Sequence, residues 1–333
     1  MLAPSTNSIP ANADEASAAF ARPHDYVTLD HGRLAYWRFG RGPDVVLIHG
    51  WPLHSATFRR IVPALARTFT LHLIDLPGTG HSEWDGPIDL ASHATTLRKA
   101  IDAVGLSRYA LLAHDSGAVV ARLLAADDPR VQGLVMGNSE IPGHRPWLVE
   151  LYAWAAKRPR IAALVLSTMR FSAIRRSFLA FGGIFRDPAF VDGDFGDWFV
   201  RPLIGSRRVA EGQMALLRNL DFGLIDGLDA VHARIGATVL CIWGADDPFF
   251  PVAKARRALA QFKGTAELIE IPGAKLFAHE DHSEAFVALA APFLARCSNG
   301  VAPPFGAMRS ASVSTSAICS PATIIRIASV MRS

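Results

Sequence analysis

Asp115 sits where this sequence offers its clearest chemistry. An apolar run over 109–113 has the length and character of a buried strand. It breaks at His114-Asp115-Ser116-Gly117 and resumes as a helical pattern over 118–126. The result is a small–X–nucleophile–X–Gly turn with Asp115 as its third residue. Ala113 and Gly117 are the small neighbours that a sharp strand-to-helix turn requires. Such a turn lifts one side chain above the sheet edge and leaves the Ser116 amide at a helix N-terminus, ready for an anion. A carboxylate held there is already ionised, so it can attack a saturated carbon unaided and form an ester. Two other readings compete. Ser116 as the nucleophile would place the bulky His114 at a position that calls for a small residue, and Asp115 as a simple helix cap would carry no chemistry.

A side chain raised in this way needs a sheet beneath it. Strand-like runs occur at 25–30, 33–39, 44–49, 69–75, 109–113, 131–136, 238–243 and 266–271. Helical patterns fall at 56–67, 90–104, 118–126, 252–262 and 284–296. Strands alternating with helices predict a mostly parallel sheet covered on both faces. The first two strands join through Asp30-His31-Gly32, a hairpin signal. Between 141 and 232 there are no strand-like runs, only helical stretches dense in Trp, Phe and Arg. The expected organisation is a loose N-terminal arm over 1–24, an α/β core over 25–140 and 233–296, an inserted helical segment over 141–232, and a disordered Ser/Ala-rich tail over 297–333.

Bulk composition excludes several classes. Half of the 333 residues are hydrophobic and 19% are charged, as in a globular chain. A formal charge of +4, with no basic stripe carrying interleaved aromatics, argues against nucleic acid as a partner. The three cysteines, Cys241, Cys297 and Cys319, have neither disulfide-framework nor metal-site spacing. No apolar run reaches the length of a membrane span, and the first residues lack a secretory pattern. The expectation is a cytoplasmic protein acting on a small apolar organic molecule, with no cofactor or metal.

The turn around Asp115 resembles the nucleophile elbow of the α/β-hydrolase fold. An aspartate in that place resembles the epoxide hydrolase and haloalkane dehalogenase branch rather than the serine esterases. His49-Gly50-Trp51-Pro52 is similar to the family's His-Gly-X-Pro loop, and Asp75 to Ser82 is similar to its Asp-X-X-Gly-X-Gly-X-Ser loop. The resemblance implies an oxyanion hole formed by the amides of Trp51 and Ser116, which would hold charge as an ester intermediate is attacked. It also makes the segment over 141–232 a cap.

For the acid that orients a histidine, Trp243-Gly244-Ala245-Asp246-Asp247-Pro248 resembles the family's turn and points to Asp247, with Glu140 as the alternative. The expected histidine itself is missing. Registering Gly273 and Glu280 on the family pattern places Leu276 there, with His279 and His282 three and six residues later. Three readings follow: His279 swings into the role, a cap or loop residue such as His144 or His54 serves, or hydrolysis of the ester is lost. Ester hydrolysis needs a base to activate water, worth about 10²–10⁴-fold.

The cap departs from both subfamilies. Of four tyrosines only Tyr152 lies in it, so a two-tyrosine epoxide site is excluded by count. The halide-binding Trp expected directly after the nucleophile is Ser116, leaving the indoles of Trp51 or Trp147 as donors. Trp147 and Tyr152 are the expected pocket residues. The functional expectation is a hydrolase forming an ester on Asp115 from a small apolar epoxide or alkyl halide. The alternative is a catalytically impaired ligand-binding or interaction protein on the same fold.

Overall fold

Five parallel strand pairings bring the C-terminal ends of the central strands to one edge of the molecule. The computed structural model describes residues 8–298. Its strands are β1 (Asp25–Leu29), β2 (Gly32–Phe39), β3 (Asp44–Ile48), β4 (Thr70–Ile74), β5 (Glu83–Trp84), β6 (Tyr109–Ala113), β7 (Val131–Met136), β8 (Thr238–Gly244) and β9 (Ala266–Ile271). They form one sheet in the order β1-β2-β4-β3-β6-β7-β8-β9, with β5 paired to β2. Only the β1-β2, β2-β4 and β2-β5 pairings are antiparallel. Every residue of β4 and β6 is buried, as strands covered on both faces must be. Helices Leu90–Val104 and Ser116–Asp127 pack together on the sheet, and Ser283–Ser298 packs on β7 and β8.

Register decides which loops meet. Ile48 of β3 lies beside Ala113 of β6, so the loop 49–52 rises next to Asp115. Ala113 lies beside Met136 of β7, which brings residues 138–140 to the other side. Met136 pairs with Cys241 of β8, and Gly244 pairs with Ile271 of β9, adding residues 245–247 and 272–277. A crevice at the carboxyl ends of parallel strands is where such sheets bind ligands. Between β7 and β8 the chain forms only helices and turns, from Trp147–Ala156 to Leu228–His232, in the place expected of the cap. No helix among the described residues is long and apolar enough to cross a membrane.

Four expectations need correcting or placing. The loose arm does not hold over Ala13–Phe20, which is a helix. Asn12 caps it by accepting from the Glu15 amide, and Ala16 and Phe20 are buried against the sheet, Phe20 lying 5.5 Å from the ring of Trp37. The polar composition of the segment concealed those two anchors. The helix expected over 56–67 is instead a 3₁₀ turn, Ser55–Phe58, and a short α-helix, Val62–Leu65, with Pro63 in its first turn. The one expected over 252–262 is α-helical only over Val252–Ala258 and ends in a 3₁₀ turn, Leu259–Gln261. The C-terminal helix extends to Ser298, and the tail beyond it lies outside the described residues.

Candidate active site

Asp115 has φ 50° and ψ −143°, and among the described residues it is the sole non-glycine with positive φ. A bulky residue held there is strained, and such strain collects at functional sites. The surroundings enforce it. The Asp115 amide donates to Asn138 O at 2.7 Å, and Ser139 Oγ lies 2.9 Å from Asp115 O. The neighbours must be glycine because the chains run so close: a Cβ on Gly117 would meet His49 O at 2.3 Å, and one on Gly50 would meet the Asp115 side chain at 2.5 Å.

The carboxylate faces prepared donors. Trp51 N donates to Asp115 Oδ2 at 2.8 Å and also reaches Ser116 Oγ at 2.9 Å. The Ser116 amide faces the same carboxylate and, with Trp51, lowers its pKa. These are the two amides expected to form the oxyanion hole. Burial outweighs them and holds the Asp115 carboxyl well above the ordinary aspartate range, with the charge of Glu140 adding to the rise.

Above Asp115 lies a chamber of about 110 Å³. A cavity of roughly 150 Å³ accommodates benzene, so the space suits a small ring or short chain. Trp51, Asp115, Ser116, Glu140 and Tyr152 supply its polar atoms, and the rest of the wall is aliphatic, Met or Phe, including Val149, Ile184, Met214 and Phe277.

The remaining expected site residues fall into place unevenly. Tyr152 lines the chamber, but its hydroxyl donates to Leu179 O at 3.1 Å. Trp51 lines it too, with its indole N–H donating to Gln213 O at 3.1 Å, which removes it as a halide donor. Trp147 is not a pocket residue: it is 57% exposed on the outside of the cap, against Phe178. Its helix turns Leu148 inward and Val149 and Tyr152 to the chamber, leaving Trp147 on the outer face.

Asp247 is buried outside the chamber wall. It accepts from Asn138 Nδ2 at 2.7 Å and from the Phe249 amide at 2.8 Å, while Asn138 Oδ1 accepts from the Gly244 amide. It thus ties the loop after β7 to the loop after β8, and its bonds orient no imidazole. Burial pushes its carboxyl up to about 6. Glu140 does line the chamber, with its Oε2 2.8 Å from Ser139 Oγ.

The base assignment for His279 finds no support in its position. The side chain facing the chamber from this segment is Leu276. His279 lies behind it, its Nε2 bonded to Thr57 Oγ1 at 2.8 Å and its ring stacked 4.0 Å from that of His114. Residues Ala278–Asp281 already form a helical turn, which rotates His279 into the core. Burial drives its pKa down to about 3, too low to draw a proton from water efficiently at neutral pH. Nor does either alternative line the chamber. His144 is tied to Phe249 O and Lys254 Nζ, and His54 to Trp198 O.

Two groups of functional weight were not foreseen. Arg59, fully buried, donates to Glu280 Oε1 at 2.8 Å and to Asp194 Oδ2 at 2.5 Å, joining core to cap. Thr57 donates to the same Glu280 oxygen at 2.9 Å, which makes His279 Nε2 the donor to Thr57. Arg122, on the helix after Asp115, donates to Ser139 Oγ at 2.8 Å and to Glu140 O at 2.9 Å, setting the segment that carries Glu140. Their only trace in the sequence is charge inside otherwise apolar stretches.

The alpha/beta hydrolase fold family model matches residues 43–283. The chain belongs to that family. Against haloalkane dehalogenase 2 of Mycobacterium bovis it is 30% identical over 265 residues, covering 75% of this chain and 87% of that protein. Against a pimeloyl-[acyl-carrier protein] methyl ester esterase of Aeromonas hydrophila it is 37% identical over 118 residues, 33% of this chain. There the match spans under half of the relative's length, 46%. A solved putative ancestral haloalkane dehalogenase superposes with TM-score 0.69 at 22% identity, over 83% of this chain and 99% of that one, a likeness of fold.

Proposed function

We propose that this chain is a hydrolase in which Asp115 attacks a small apolar epoxide or alkyl halide and forms an alkyl ester. The observation that carries this reading is the Asp115 carboxylate itself, forced to φ 50° at the floor of a small apolar chamber with the Trp51 amide 2.8 Å from one oxygen. A helix cap accepts from the second or third amide of its helix, and Asp115 makes no such cap bond. The same two amides that hold the carboxylate would hold the oxyanion formed when the ester is hydrolysed. The haloalkane dehalogenase relative supports the choice of electrophile.

A second reading, capture without release, is favoured by Leu276 facing the chamber with no imidazole beside it. The test is intact-mass spectrometry over time with 1-bromohexane and with 1,2-epoxyhexane, on the wild type and on Asp115→Asn. The proposal expects alkylation mapping to Asp115, absent in the variant. Decay of the adduct with product formation supports hydrolysis, and a permanent adduct supports capture alone. If neither reagent is consumed or bound by the wild type, the nucleophile assignment fails.

A further inference from the structure

Large apolar side chains reach the surface on the cap and almost nowhere else. Among the described residues ten are exposed, and all but Ile9 lie between Trp147 and Leu179. Single exposed apolar residues are ordinary, whereas a cluster of them marks a binding surface. On the helix Trp147–Ala156, Trp147, Leu151 and Trp154 stand four and three residues apart and form one outward stripe. Val149, Tyr152 and Ala156 face the chamber from the opposite side of the same helix. The neighbouring segments extend the stripe. Leu164, on the helix Pro159–Thr168, is 65% exposed, and Phe171 and Ile174 stand exposed at the short helix Ser172–Arg175. Contacts join the pieces: the rings of Trp147 and Phe178 lie 6.5 Å apart, and the Tyr152 hydroxyl donates to Leu179 O at 3.1 Å.

The same stretch is basic. Residues 147–179 hold six Lys and Arg against the single acid Glu150, a charge of +5 within a chain whose total is +4, so the remainder of the chain is net −1. Arg175 and Arg176 pair with Asp192, but Lys157, Arg158, Arg160 and Arg170 meet no carboxylate among the described residues. All four are exposed. Two of them lie over exposed rings, Arg158 at 4.1 Å from the centre of Trp154 and Arg170 at 4.7 Å from that of Phe171.

We propose that this face of the cap docks on the surface of an anionic lipid bilayer, with its aromatic and aliphatic side chains at headgroup level and its four free cations against the lipid phosphates. Trp and Phe beside Arg and Lys satisfy both layers of such a surface, the rings in its apolar margin and the charges in its polar one. Charge argues against other occupants. A second copy seated on the same patch would press two basic surfaces together. Residues 299–333 of this chain carry three Arg and neither Asp nor Glu, so they offer the patch no countercharge. Val165 lines the chamber and is itself exposed, so docking sets the chamber beside a phase in which small apolar molecules concentrate. The docking does not depend on Asp115 being the nucleophile.

The test is flotation of the full chain with two kinds of vesicle, phosphatidylcholine alone and an equal mixture of phosphatidylcholine and phosphatidylglycerol. Each cation near an anionic surface strengthens binding about fivefold, so the four together predict binding to the mixture about 100-fold or more above phosphatidylcholine alone. Added salt should weaken it, because the attraction is screened. The double variant Lys157→Glu, Arg160→Glu is expected to lose most of that preference. The double variant Trp154→Ser, Leu164→Ser is expected to bind the mixture about 10-fold more weakly. Melting temperatures near that of the wild type show that both variants fold, since all four side chains are exposed. Wild-type binding that is absent, or equal on the two vesicles, overturns the proposal. So does anionic binding that the charge-reversed variant retains in full, which would place the contact elsewhere on the chain. A stable dimer in solution that Trp154→Ser, Leu164→Ser disperses, without vesicle binding, overturns it in favour of a second copy.

Discussion

Leu276→His puts an imidazole into a chamber whose wall holds none. Leu276 is 8% exposed and shares that wall with Asp115, Glu140, Phe250 and Phe277. The segment is anchored next to Asp247, since the Asp246 amide donates to Ala274 O at 3.0 Å. A carboxylate can accept about four hydrogen bonds, and Asp247 accepts from Asn138 and from the amides of Phe249 and Phe250, which leaves room for one ring N–H. A positioned base is worth about 10²–10⁴-fold, or ~2.7–5.4 kcal/mol of barrier. Exchanging a buried isobutyl group for a polar ring costs stability, about 1–3 kcal/mol if one ring nitrogen is left unpaired. The assay is bromide release from 1-bromohexane. The wild type should give a burst of one bromide per site and stop, whereas Leu276→His should continue, its ester decaying at least 100-fold faster. If the folded variant loses its ester no faster than the wild type, an imidazole at this position cannot reach the reacting atoms, and the account of why the site lacks a base is wrong.

Three further outcomes follow. Capture of bromohexane should rise with pH, because only ionised Asp115 attacks and its carboxyl ionises above the ordinary aspartate range. Burial opposes that ionisation most, and the amides of Ser116 and Trp51 favour it. A rate already flat at pH 4–5 would contradict this. Arg59→Met removes the closer cation of buried Glu280 and leaves Glu280 and Asp194 only the longer contacts to Arg60, at 3.5 and 3.3 Å, so denaturant unfolding should show a loss of up to about 3–5 kcal/mol. A loss below about 1 kcal/mol would mean that the pair is solvated. His279→Ala should lower the melting temperature while bromohexane capture and diol formation per folded molecule persist, because its ring packs against His114 and Thr57. Loss of turnover in that folded variant would return His279 to the role of base.

The elements that position the site were largely legible in the chain because their signals are local. Apolar runs alternating with helical periods marked the strands β3, β4 and β6 to β9. The spacing of Ala113, Asp115 and Gly117 marked the strained turn, because few residues tolerate that backbone geometry. The helix at Ala13–Phe20 escaped notice because two buried side chains carry it and its composition is otherwise that of a loop.

By itself, the sequence located the strained turn at Asp115, the two amides facing it, and the leucine standing where a histidine was expected, since each is a matter of which residue follows which on one turn. Tertiary structure alone decided the fate of the histidines and carboxylates. His279 differs from a chamber residue only by the rotation of one helical turn, and sequence spacing does not show which face of that turn is occupied by core. Asp247 and Glu140 were equivalent as letters. Sheet register places one against Asn138 and Phe249 and the other on the chamber wall beside Asp115.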